Sequence, residues 1–435
     1  MIVFGEKINK LLQNDVNKRI FNHSVWILLG NIVSKATLLL STILISKILL
    51  KQEYGQFGIL KSTIIMFSAF AGLELGLTAT KYISQYKHSD KEKIENIIGL
   101  SNFFSIGISF IISLLIYLFS EQIAHWINAP NLSLSIKISS FIILFSSVNG
   151  IQNGIFSGLE KFKELSINTS IAGVLSSIGM VFGAKYYGLL GVVVFFGSNY
   201  LILSILNYFL LKRFFYSNYS VNLLRKRNFR ELRVIWKFSL PAILAALMVA
   251  PISWVCNYIL VKQPSGYVQM AYFDIANQWR NTILFIPTAL SQIALPMLSA
   301  AVQDPKLYKS TYVKNIKLNF YIAMAMVVVF VIASPFIVYT YGKEYQDALY
   351  PLIIMFVTTG LIALNNVIGQ VIASKNKMWL GFFVNLIWGI ILIILSYIFI
   401  RIFHWGAVGI SLAYLISYMV HTAVQFLLIR NILKI

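Results

Sequence analysis

Lys35, Lys61, Glu74, Asp274 and Arg280 stand inside apolar stretches of membrane length. A charge at mid-bilayer costs at least ~3 kcal/mol even on the most lenient insertion scale. Side chains of this kind line a wet cavity or pair with one another across helices. Arg280 suits a phosphate, because its planar fork donates two parallel hydrogen bonds and stays protonated.

Each position has a local context. Lys35 shares a helix face with Asn31, Ser34, Leu38 and Thr42, too deep in its stretch for easy snorkelling to an interface. Lys61 lies nearer the outer end of its stretch, where snorkelling is the competing reading. Glu74 is thirteen residues further on, roughly 20 Å away by helical rise, and cannot pair with Lys61 within one helix. It either pairs with basic loop residues or serves as a protonatable coupling site or gate. Asp274, Asn277, Gln278 and Asn281 fall within about 100° of arc on one helix, with Arg280 at the edge. A packed bundle absorbs one or two amides as interhelical hydrogen bonds; this stripe exceeds that and is expected to face an aqueous path. The competing reading pairs Arg280 with an internal carboxylate. Asn257 joins the expected lining from the preceding stretch. The amides Asn149, Gln152, Asn153, Asn365, Asn366, Gln370, Asn385 and Gln425, with His421, read singly as packing hydrogen bonds and together suit a hydroxyl-rich cargo.

No soluble-enzyme constellation accompanies these residues. The sequence holds no P-loop, no HExxH, no paired cysteine ligands and no nucleophile elbow. The reading is of a chain that is not an enzyme, with no cofactor and no metal site.

The elements that position these residues are read from composition. Of 435 residues, 58% are hydrophobic and 12% charged, and mean hydropathy is +0.75. A soluble domain carries roughly a quarter charged residues. Apolar runs of about the ~20 residues that cross a bilayer recur throughout. They predict an all-α polytopic membrane protein with twelve spans, at 25–47, 57–80, 96–119, 134–157, 167–186, 189–211, 237–261, 268–298, 318–341, 349–373, 379–400 and 407–429.

The net charge of +21 sits mostly in short loops, which argues for membrane topology and against nucleic acid. Of the 36 Lys and Arg, only Lys47, Lys51, Lys137, Lys185, Lys262, Lys343 and Arg401 fall in loops opposite the termini. By the positive-inside rule both termini are cytoplasmic. The domains read as a cytoplasmic arm 1–24, a first lobe 25–211, a basic linker 212–236, a second lobe 237–429 and a cytoplasmic tail 430–435. The linker is expected to lie anchored on anionic lipid.

The halves read as a duplication. The stretch from Tyr187 aligns with that from Trp405, setting Gly188 on Gly406, Gly191 on Gly409 and Tyr200 on Tyr418. YGQFGILK from Tyr54 falls on YVQMAYFD from Tyr267, setting Lys61 on Asp274. Six spans per half make the repeats parallel, related by a pseudo-two-fold axis along the membrane normal. Transporter repeats commonly place the substrate path at their interface.

LLKQEYGQFGIL (49–60), GLELGLTATKYIS (72–84) and GIFSGLEKFKELS (154–166) resemble the Wzx-type polysaccharide biosynthesis flippases of the multidrug/oligosaccharidyl-lipid/polysaccharide exporter superfamily. The resemblance implies a MATE-like fold of two V-shaped lobes around a cationic cavity, in a bacterial inner membrane. It implies translocation of undecaprenyl-pyrophosphate-linked oligosaccharide, such as an O-antigen unit, between leaflets by ion-coupled alternating access. Lys35, Lys61 and Arg280 would then meet the pyrophosphate, and Glu74 or Asp274 would couple a proton or Na⁺ gradient. Membrane lipid, a polysaccharide polymerase and a chain-length regulator are the implied partners. The alternatives are a cation-coupled multidrug exporter of the same superfamily, which a basic lining opposes, and a membrane polymerase or ligase, which would call for a large extracytoplasmic loop.

Overall fold

The computed structural model describes residues 15–72, 75–232, 248–288, 304–375 and 377–433, with single positions 244, 291 and 298 between them. Among the described residues there is no strand. In hydrocarbon a backbone has no water to bond, so each span must satisfy its own amides and carbonyls, and the helix does so within one segment.

The first half comprises α1 (Asp15–Ile48), α2 (Lys51–Gly72), α3 (Leu75–Tyr86), α4 (Lys91–Leu118), the short α5 (Ser120–Trp126), α6 (Ser133–Gly158) and α7 (Phe162–Leu211). The second comprises α8 (Val249–Val261), α9 (Gly266–Ile283), α10 (Pro305–Tyr341), α11 (Leu349–Ser374), α12 (Met378–Tyr397) and α13 (Gly406–Leu433). Polar residues fix the helix starts. The Asp90 carboxylate caps α4 by accepting from Lys93 N. The Asp304 carboxylate accepts from Lys306 N and Leu307 N, with Pro305 in the first turn of α10.

α7 is two antiparallel limbs. Gly188 takes φ 57°, ψ −142° and reverses the chain, so Gly183 lies against Gly191 and Gly179 against Phe195. The Asn199 amide then donates to Ser176 Oγ at 3.1 Å across the limbs. Gly406, the repeat counterpart of Gly188, also has positive φ, at 50°. A glycine with positive φ thus recurs where the duplication places it.

Among the described residues, eight helices are long and apolar enough to cross a membrane, or nine if α2 and α3, bent by 43°, form one span. That tally counts α7 once although it folds back. It also leaves out α8, whose described part is 13 residues, and α9, which carries the polar stripe.

The helices form two bundles. In the first, α6 packs against α3, α4 and α7, and α1 packs against α7. Gly76 meets Gly150 and Gly154 backbone to backbone, the close approach that small residues allow in membranes. Amides tie α6 to α7: Asn149 Nδ2 donates to Tyr200 O at 2.8 Å, Gln152 Nε2 to Ser204 O at 3.1 Å and Asn207 Nδ2 to Asn153 Oδ1 at 3.3 Å. In the second, α11 and α13 pack together and against α9, α10 and α12. The bundles meet chiefly where α2 lies on α8 and α9.

The described part of the linker, 212–232, is tied to the first bundle. Arg225 Nη1 lies 3.4 Å from Glu95 Oε2 and Arg227 Nη1 2.7 Å from Glu92 Oε1. Ser220 N donates to Glu95 Oε1 at 2.8 Å. The two carboxylates opening α4 neutralise part of the loop's charge.

Candidate functional site

Glycines bring α2 and α9 together. A Cβ on Gly55 would strike the Tyr267 carbonyl and Ala271 N, and one on Gly58 would crowd Met270 and Asp274. Gly55 needs glycine because the backbones of the two lobes meet there, and Gly58 is closely packed on the same face. On the side away from the linker, Tyr345 OH donates to Ser46 O at 3.2 Å, Lys262 Nζ to Asn128 Oδ1 at 2.7 Å, and Tyr267 OH to Ile127 O. Closer to mid-membrane, Trp254 Nε1 donates to Thr63 Oγ1 and Asn257 Nδ2 to Ser62 Oγ, each at 2.9 Å. Gln278 Nε2 donates to Thr42 Oγ1 at 2.7 Å.

Toward the linker side the two helices part. On α2, Tyr54, Phe57 and Gly58 are buried, Lys61 is half-buried, and Ile65, one turn on, is 48% exposed. On α9, Met270 and Asp274 are buried, Gln278 is half-buried and Asn281 is exposed. A cleft therefore opens between the lobes on the linker side and closes at the level of Lys61 and Asp274.

At that apex Lys61 Nζ lies 2.7 Å from Asp274 Oδ2. These are the residues that the repeat register superimposes. A residue touches its own symmetry counterpart only where the axis passes between them, so this ion pair marks the pseudo-two-fold axis. Lys61 also lies 5.5 Å from the Phe57 ring centre.

The other two cations are not neutralised in this way. Among the described residues, neither Lys35 nor Arg280 has a carboxylate within ion-pair distance. Lys35 is half-buried on α1, with Nζ 4.7 Å from the Phe285 ring centre, reaching from the first lobe to the second. Arg280 stacks its guanidinium 5.1 Å from the Tyr414 ring centre. Its Nη2 donates to Asn281 Oδ1 at 3.3 Å, while Nε and Nη1 are buried without a hydrogen-bond partner among the described residues. Two nitrogens of one guanidinium are thus left for an anion with more than one acceptor oxygen. Arg280 is set about 120° around α9 from Asp274, facing α13 and away from the axis.

The remaining amides divide. Asn257 and Gln278 each spend their nitrogens on lobe-to-lobe bonds, and their oxygens, with Asn277 Oδ1, are buried without partners among the described residues. Asn31 is half-buried on the Lys35 face. Glu74 lies outside the described residues. Sequence reasoning missed Phe285 and Tyr414, the partners of Lys35 and Arg280, and the pairing of Thr42 with Gln278. Each lies far along the chain from its partner, so no spacing announces it.

The two helical bundles, with Lys35, Lys61 and Arg280 near the place where they meet, have the fold of the transporters that follow. An inward-closed structure of the lipid II flippase MurJ superposes with a TM-score of 0.76 at 16% identity, over 93% of this chain and 87% of that one. An inward-facing MATE-family multidrug resistance transporter superposes with a TM-score of 0.73 at 16% identity, over 94% of each. The chain itself belongs to the polysaccharide biosynthesis protein family, whose model matches residues 44–350. It is also similar to the EPS I polysaccharide export inner membrane protein EpsE of Ralstonia solanacearum, 30% identical over 193 residues. That match spans 43% of each protein.

Proposed function

We propose that this protein moves a lipid-linked oligosaccharide, carried on a polyprenyl diphosphate, from the cytoplasmic to the outer leaflet of a bacterial inner membrane. The observation that carries the reading is a pair of half-buried cations without a carboxylate partner among the described residues: Lys35, which reaches from the first lobe to the second, and Arg280, with two guanidinium nitrogens unpartnered. A diphosphate supplies the missing anion, amides and aromatic rings suit the sugars, and the polyprenyl chain stays in lipid between the lobes. The family's place in polysaccharide biosynthesis, the export role named for EpsE and the flippase role named for MurJ support the same cargo class.

The basic linker side is cytoplasmic in this reading, so both termini are cytoplasmic and the described state faces inward. Alternating access carries the cargo outward. A proton or Na⁺ gradient drives the cycle through a carboxylate, Asp274 or Glu74, as long as the ion binds one state better than the other. A polymerase and a chain-length regulator act on the product at the outer face.

The test is leaflet-resolved accumulation of lipid-linked sugar in cells carrying Arg280→Ala or Lys35→Ala at normal expression. Both variants are expected to retain cargo in the cytoplasmic leaflet. Wild-type flipping in both would remove the cationic-cleft reading.

A further inference from the structure

The apex pair does not resemble the other two cations. Lys35 and Arg280 wait on aromatic faces, whereas Lys61 already holds an anion. The two partners are unequally placed: the Lys61 side chain is 16% exposed and that of Asp274 3%. The ammonium is the member that a ligand ascending the cleft meets, and the carboxylate is sealed behind it. Removing one partner from a buried ion pair strands the other as an unpaired charge, which is strongly destabilising.

We infer that Asp274 occupies Lys61 in place of the cargo diphosphate, and that exchange of the one anion for the other is what opens the outer face. The inference rests on the proposed cargo. A diphosphate carries more charge and more acceptor oxygens than one carboxylate, so it competes for Lys61 when it reaches the apex. Asp274 is then left buried without its cation, but only in the state closed on the outer side. Separation of the lobes along the Gly55 and Gly58 contact is the movement that brings water to Asp274. Cargo thus destabilises one state of the two, which is the requirement for a ligand to shift a conformational equilibrium. Without cargo the pair holds the outer side shut and the transporter does not cycle empty. Once cargo leaves outside, re-pairing of Lys61 with Asp274 favours return to the inward-facing state.

The experiment uses the full chain in lipid nanodiscs, spin-labelled at Asn131→Cys and Gln346→Cys, exposed positions on the outer side of opposite lobes. The native Cys256 is buried and escapes the label. Unliganded wild type is expected to show the short outer distance. Farnesyl diphosphate is expected to lengthen it, and farnesol, which lacks the diphosphate, to leave it unchanged. Asp274→Asn and Lys61→Gln are each expected to show the long distance with no ligand, and Lys61→Gln to lose the response. The double variant Lys61→Asp with Asp274→Lys rebuilds the pair and is expected to restore the short distance, which separates loss of the pair from loss of folding. Distance distributions of Asp274→Asn and Lys61→Gln that match unliganded wild type would overturn the latch. Farnesyl diphosphate binding, read as tryptophan quenching, without outer lengthening would overturn the exchange alone. Absence of binding would remove the cargo reading and the exchange with it.

Discussion

Replacing Gly55 by alanine tests the architecture with a single methyl group. The Cβ would lie 2.7 Å from the Tyr267 carbonyl carbon and 3.2 Å from Ala271 N, with the Tyr267 oxygen closer still. These are backbone atoms of the opposite lobe and cannot rotate aside. Overpacking of this kind costs about 1–3 kcal/mol. The cost falls only on the state in which α2 and α9 touch. The helix-propensity gain of Gly→Ala, about 1 kcal/mol, applies in every state in which α2 is helical and cancels from the comparison. The ratio of outer-closed to outer-open protein should therefore fall about 5- to 150-fold. Asn128 and Lys262 meet across the lobes on the outer side, so the initial rate at which a short bis-thiol reagent cross-links Asn128→Cys to Lys262→Cys reports the closed population. Gly55→Ala should slow it. Gly107→Ala, where a Cβ meets nothing within 4 Å, is the matched control and should not. Cross-linking at the control rate in Gly55→Ala would show that the lobes do not close through this contact.

Two further outcomes follow from packing elsewhere. Gly191→Leu drives a side chain into the Gly183 backbone at the α7 reversal, and should lower the midpoint of thermal unfolding in detergent through about 1–3 kcal/mol of overpacking; Gly72→Ala, with no atom within 4 Å of its Cβ, should not. Arg227→Glu breaks the linker's pair with Glu92, and should raise the rate of limited proteolysis within 212–231. Adding Glu92→Arg restores the opposite charges and should return the rate toward wild type.

What the sequence discloses about the site depends on whether a relation is local or across helices. The repeat register alone superimposes Lys61 on Asp274, and a two-fold axis between the helices makes those counterparts neighbours. The paired turn glycines Gly188 and Gly406 are legible in the same way, because the need for positive φ leaves its mark on the residue itself. The stacking of Arg280 on Tyr414 and of Lys35 on Phe285 is not legible. It depends on which helices pack together, and on an azimuth about 120° from Asp274 that turns Arg280 toward α13. The linker's place is hidden for a similar reason: Glu92 and Glu95 lie far from 212–231 in sequence and become its partners only when α4 is placed beside it.

The position of the apex pair also bears on how this chain arose. On a two-fold axis, a homodimer of identical halves can offer only like against like. A lysine there would face a lysine, and an aspartate an aspartate, each a buried repulsion at the closest approach of the lobes. Opposite charges at one axial position require two copies free to diverge. The Lys61–Asp274 bridge is thus a contact that a six-helix ancestor assembling with itself could not have made, and it sets the closed outer face in its present form after the two halves began to diverge.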